Sequence, residues 1–136
     1  MHRINQQRHK RQRGSALVES GLTLVVFMFV IFGLMEFCRA VWATNLLSHA
    51  AREATRYAMV RGSSSGHPAT ADGIRAVART QAVGLSASDV QVDVSWIPDN
   101  KPGSAVKVVL GYTFGPMTNL MGPGTFHSTS QVIITQ

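Results

Sequence analysis

Residues 15–35 read SALVESGLTLVVFMFVIFGLM, a run in which Glu19 is the single ionisable side chain. As an α-helix this run is about 32 Å long at roughly 1.5 Å per residue, which matches the about 30 Å of a bilayer's hydrocarbon core. Gly21 and Gly33 fit such a helix, because glycine is common in membrane segments and lets neighbouring backbones approach closely. The run predicts a membrane-spanning helix, and the two flanks decide how the rest of the chain is organised.

The N-terminal flank, residues 1–14, carries Arg3, Arg8, Lys10, Arg11 and Arg13 without one acidic residue. The formal net charge of +6 comes mostly from this flank, since the remaining chain holds eight basic against seven acidic residues. A short basic tail before an apolar segment is what the positive-inside rule expects on the cytoplasmic side, which puts the C-terminal body outside. A nucleic-acid module would carry its lysines and arginines on the folded body, so no nucleic-acid partner is expected.

On the other flank no proline appears before Pro68 and helix formers continue through Arg61, so one helix is expected from about Ser15 to about Val60, with residues 36–61 as its outer half. Phe37, Ala40, Thr44, Leu47, Ala51, Ala54 and Ala58 recur at steps of three and four and define a seam of mostly small residues. Such a seam suits close packing, against the protein's own sheet or against neighbouring helices. Arg52, Glu53 and Arg56 lie off it and read as a solvated face.

Residues 62–70, with Gly62-Ser-Ser-Ser-Gly66 and His67-Pro68, read as a loop that ends the helix. A second helix is expected over 71–83, with Ile74, Val77, Ala78 and Ala82 inward. Alternation of apolar and polar residues predicts strands over 90–97 and 104–114, joined by the turn residues Pro98-Asp-Asn-Lys-Pro-Gly103, and a third strand over 127–135 follows the loop with Gly122-Pro123-Gly124. The fold class is α+β: a long N-terminal transmembrane helix that extends into a small domain, residues 36–136, with a second helix and a three-stranded antiparallel meander. A body this small buries little, so association with other subunits is expected to contribute to stability.

The residues do not combine into a catalytic or metal site. His49, His67 and His127 lack metal-type spacing, Asp89 and Asp93 have no matching ligands, and Ser63, Ser64 and Ser65 lack a nucleophile elbow. No phosphate-binding glycine loop is present, and no cofactor or enzymatic activity is expected. Cys38 is the one cysteine, which excludes an internal disulfide, and it reads as a small buried hydrophobe.

Glu19 demands a separate account, because a carboxylate inside an apolar helix is costly unless paired, neutralised or near the interface. In RQRGSALVES, residues 11–20, a cut after Gly14 would make Ser15 the first residue and Glu19 the fifth. This arrangement resembles the prepilin peptidase site of type IV pilins and their relatives. The stretch from Gly14 to Glu19 is similar to the start of TadE-like proteins of tight-adherence (Flp) pilus systems, and AAREATRYA, residues 50–58, looks like the stretch that follows their membrane segment.

The resemblance implies a pilin-like domain outside the membrane and a minor pilin or pseudopilin role. It also implies processing at Gly14 and Ser15, and Glu19 as an assembly residue that meets the free amine of a neighbouring subunit. The implied partners are other pilin-like subunits, the prepilin peptidase and the inner-membrane assembly platform, besides membrane lipid, and the implied location is the bacterial inner membrane with the body in the periplasm. Two other readings stay open. Residues 1–35 also read as a signal sequence with a poor cut site at Val41-Trp42-Ala43, releasing a soluble domain, and an uncleaved anchor presenting a binding module would share the same topology.

Overall fold

A computed structural model of the protein describes residues 3–117 and 122–135, with side chains described from residue 14 onward. It contains two helices, α1 (Arg3–Met59) and α2 (Ala71–Gln81), and three strands, β1 (Val90–Ile97), β2 (Ala105–Phe114) and β3 (Gly124–Ile133). The strands form one antiparallel sheet in the order β1-β2-β3, with Val92 opposite Leu110 and Leu110 opposite Ser128 at its centre. The α+β plan read from the sequence is the observed one.

Two boundaries differ from expectation by three residues or more. Helix α1 begins at Arg3, well before Ser15, because the arginine, glutamine and lysine residues of the basic flank are good helix formers and nothing breaks the helix before Gly14. The basic side chains themselves lie outside the described ones. Strand β3 begins at Gly124 instead of 127, because Phe126 packs its ring on Phe114 with centroids 5.5 Å apart and extends the pairing back to Phe114 opposite Gly124.

The chain divides into two compact units between Phe37 and Cys38. The first, Met1–Phe37, includes the apolar part of α1, whose large side chains are exposed: Leu17 and Val18 at 73% and 74%, with Leu22, Leu24, Phe27, Val30 and Leu34 all above one half. This is the one helix among the described residues long and apolar enough to cross a membrane.

The second unit has its own core. Leu47, Ala50, Ala51, Ala54 and Ala58 of α1 bury themselves with Ile74 and Ala78 of α2 and with Val90, Val92, Val106, Val108 and Leu110 of the sheet. Four alanines on one helical face keep the backbone close to the sheet. The central strand supplies the larger aliphatic side chains that fill the remaining space.

Helix α2 starts where Thr70 Oγ1 accepts the backbone N–H of Gly73, a standard N-cap, and stops at Ala82, whose N–H still bonds to Ala78 O. Gly84 then turns the chain with φ +93°, and a Cβ there would lie 2.9 Å from the Trp42 ring, so glycine is required by both the conformation and the contact. The end of the chain is tied back to α1, where Met59 O accepts from the backbone N–H of Thr135 at 3.1 Å and from its hydroxyl at 3.2 Å.

Between β1 and β2, Asp99 organises the turn. Its carboxylate accepts the Ser104 hydroxyl and the Lys101 backbone N–H, with the Lys101 ammonium 3.4 Å away. These bonds, the Ser104 hydroxyl first, hold the carboxyl below its ordinary value.

At the interface of α1 with the inner face of β3, hydroxyls replace apolar contacts. Thr55 Oγ1 lies 2.8 Å from Ser130 Oγ, and Ser128 Oγ donates to Ser48 Oγ at 3.3 Å. Both helix residues also bond backwards, Ser48 to Thr44 O and Thr55 to Ala51 O, so no hydroxyl in this contact is left without a partner.

Three outcomes follow for the full-length chain in detergent, with unfolding in urea read from the fluorescence of Trp42 and Trp96. Leu47→Ala lowers stability by about 2–5 kcal/mol, the range for truncating a fully buried leucine, whereas Arg52→Ala stays within about 0.5 kcal/mol. A double-mutant cycle of Thr55→Val and Ser130→Ala gives a coupling of about 0.5–1.5 kcal/mol, and additive single effects would deny the hydroxyl pair any role. Because the folded-state pKa of Asp99 is lowered, its contribution is fully present above the unfolded aspartate value of about 4 and is lost as pH falls through the folded value. The stability difference between wild type and Asp99→Asn therefore shrinks on acidification below about pH 4.

Candidate assembly site

The residues singled out for assembly fall in both units. In the first, Gly14, Ser15 and Glu19 are all exposed, and a Cβ at Gly14 would meet nothing within 4 Å. Ser15 and Glu19 lie four residues apart on α1, one turn along the same side, and Thr23 continues that side by donating its hydroxyl to Glu19 O at 2.9 Å. Glu19, Ser20, Thr23, Leu24 and Phe27 line a shallow concavity on the helix surface, with the polar residues at its N-terminal end. The following concavity, lined by Leu24, Val25, Met28, Phe29 and Phe32, is wholly apolar.

Chemically, the helix presents one carboxylate at the edge of a continuous hydrocarbon surface. A charge in that setting selects a cationic or hydrogen-donating neighbour, because the alternative is an unpaired charge against apolar atoms.

The seam expected over residues 37–58 is found only in part. Leu47, Ala51, Ala54 and Ala58 are buried, Ala40 and Thr44 are half-buried, and Phe37 is 62% exposed. Ala43 and Ala50, beside the seam, are buried as well, because steps of three and four average 3.5 residues per turn and the face of a 3.6-residue helix drifts away from them toward Phe37. Within the body the seam serves the intramolecular core. Glu36 is 3% exposed, and its burial was not legible from sequence, where it reads as a charge just beyond the apolar run.

Cys38 is exposed and not buried as its residue type suggested. The neighbouring Arg39 places its guanidinium 5.1 Å from the centre of the Phe114 ring, which in turn contacts Phe126, so a cation-π contact and an aromatic pair join α1 to the ends of β2 and β3. Arg61 similarly lies over Tyr57 at 4.0 Å. The first contact has no periodic signature in sequence, because it depends on where the strands end, whereas the second joins residues four apart at the end of α1.

His49, His67 and His127 are all exposed, and among the described residues no three side chains of metal-binding type are grouped. Asp89 accepts from the Ser88 hydroxyl and Asp93 lies on the exposed face of β1. Ser65 donates to Gly62 O and closes the turn after α1.

The hydroxyl contacts of Ser48 and Thr55 with Ser128 and Ser130 were missed by sequence reasoning. A signal existed: the helix hydroxyls stand seven residues apart, on one face, and the strand serines alternate with Phe126 and Val132 on the inner side of β3. Reading it required the true start of that strand.

No curated protein and no solved structure matches the chain. A protein-family model does match, over residues 14–56, and its description is TadE-like protein. The matched stretch contains Gly14, Ser15 and Glu19, the apolar run and most of the buried alanine face; it is less than half of the chain, and over it the chain is similar to TadE-like proteins, a family associated with Tad pili.

Proposed function

We propose that this protein is a minor pilin or pseudopilin of a tight-adherence pilus system, anchored in the bacterial inner membrane by residues 15–35 with its body in the periplasm. The observation that carries the reading is the TadE-like match, which begins at Gly14 and spans the whole exposed apolar helix. The basic flank is held in the cytoplasm by the positive-inside rule. Prepilin peptidase cuts after Gly14 and leaves Ser15 with a free amine, while the apolar helix stays in lipid.

Glu19 then pairs with the amine of a neighbouring subunit. Each charge lowers the other's burial cost, and the pair favours one stagger between adjacent helices over all others. The apolar surface from Leu24 to Phe32 supplies area for that contact, and the role is structural, with other pilin-like subunits and the membrane assembly platform as partners.

The test is the N-terminal sequence and membrane partition of the mature protein, expressed with and without prepilin peptidase. A peptidase-dependent start at Ser15 with membrane retention is the expected result. A start near Thr44 with soluble release would establish a secreted domain instead, and an intact Met1 in the presence of active peptidase would leave an uncleaved anchor. In cells that carry the pilus system, Glu19→Ala is expected to keep membrane retention while recovery of the protein with assembled subunits falls about tenfold or more, the scale of losing one charge pair in lipid.

A further inference from the structure

Strand β2 identifies the end of the body at which the chain arrives from the apolar run. It begins at Ala105, opposite Ile133, and Thr135 just beyond bonds to Met59 O at the far end of α1. It finishes at Phe114, and the Arg39 guanidinium lies 5.1 Å from the centre of that ring. Arg39 is the second residue of the body, so the chain that follows Phe114 emerges at the entry end. The loop between α2 and β1 comes to the same end, where the ring of Trp42 lies against Gly84.

This end presents apolar side chains to solvent. Val83 and Met117 are 73% and 76% exposed, more than any other large apolar side chain described in the body, and Val41 and Trp42 are exposed with them. The opposite end carries Val60, Ile97 and Ile133, each less exposed and none aromatic. An apolar patch of this kind marks a contact with something other than water.

The connection to the apolar run indicates what that contact is. Trp42 follows Phe37, the last residue of the first unit, by five residues, or about 7.5 Å along a helix, and the headgroup layer outside the hydrocarbon core is about 5–7.5 Å deep. Helical side chains incline toward the N-terminus, so the indole reaches back into that layer. Tryptophan favours this depth, because its rings can meet acyl chains while its N–H meets water. Arg79 and Asp89, the exposed ionisable residues on either side of the α2–β1 loop, have opposite sign, so no net charge there opposes lipid phosphates.

We propose that this end of the body rests on the periplasmic leaflet of the membrane spanned by residues 15–35, with Trp42, Val83 and Met117 seated at the boundary of headgroups and acyl chains. The contact rests on the membrane anchoring proposed above. It is independent of cleavage after Gly14 and of pairing by Glu19.

The test uses the full-length chain with Cys38→Ser, reconstituted in phospholipid vesicles at high dilution and carrying one fluorophore on Val83→Cys, Met117→Cys or Ser64→Cys. Ser64 is exposed in the loop after α1, at the far end, and serves as the reference. Lipids that bear a quencher at headgroup depth are expected to quench positions 83 and 117 at least about threefold more than position 64, and aqueous iodide is expected to give the reverse order. Equal quenching at all three positions on vesicle-bound chain would overturn the contact and leave the anchor standing. Protection from iodide that arises only when chains are crowded in the vesicle would assign the patch to a neighbouring subunit and overturn the lipid contact. Chain that stays out of the vesicles would overturn the anchor and the contact together.

Discussion

The body of this protein depends on how closely one helix can lie against three strands. Ala50, Ala51, Ala54 and Ala58 put almost no side chain between α1 and the sheet, and Leu47, fully buried, fills the one deeper position. Small residues on the helix shift the work of filling space to Val106, Val108 and Leu110 on the central strand and to Ile74 on α2. Enlarging an alanine would push the helix away from all of these at once. The close approach is also what brings the Thr55 hydroxyl within 2.8 Å of Ser130 and lets Thr135 reach Met59 O.

The same helix obeys opposite rules in its first unit. From Leu17 to Met35 its large side chains face outward with no protein covering them, a surface whose transfer out of water is favourable by about 25 cal/mol per Å². Such a surface needs lipid or other helices around it. Glu19 fits that requirement only at the N-terminal end of the run, beside Ser20 and Thr23, where the helix is most polar. A carboxylate placed at Phe29 would sit about 15 Å deeper, at 1.5 Å per residue, with no polar neighbour on its face.

What was legible in the sequence divides along the same line as the physics. The apolar run, the alternation of β1 and β2 and the Gly-Ser loop after α1 are one-dimensional patterns, each caused by one environment acting on a regular element, and they could be read directly. The seam was half legible: Leu47, Ala51, Ala54 and Ala58 follow the buried face, but Phe37 and Ala40 assumed a face direction that a 3.6-residue repeat does not hold over six turns. Cys38 was misjudged because residue type predicts burial only on average, and its position on the helix points outward. The Arg39 contact with Phe114 and the hydroxyl contacts depend on which distant residues meet, a fact of three-dimensional pairing that no local period encodes.

The inner face of β3 shows why such contacts fall where they do. The central strand β2 has neighbours on both sides and a helix above, so aliphatic side chains there are fully enclosed. On β3 every inward residue is only half-buried, because one side of the strand is open. An aliphatic residue at 128 or 130 would leave part of its surface wet, whereas a serine bonded to Ser48 or Thr55 loses little when water reaches it. Polar pairing at the edge thus keeps the helix in register with the sheet without requiring that the edge be dry.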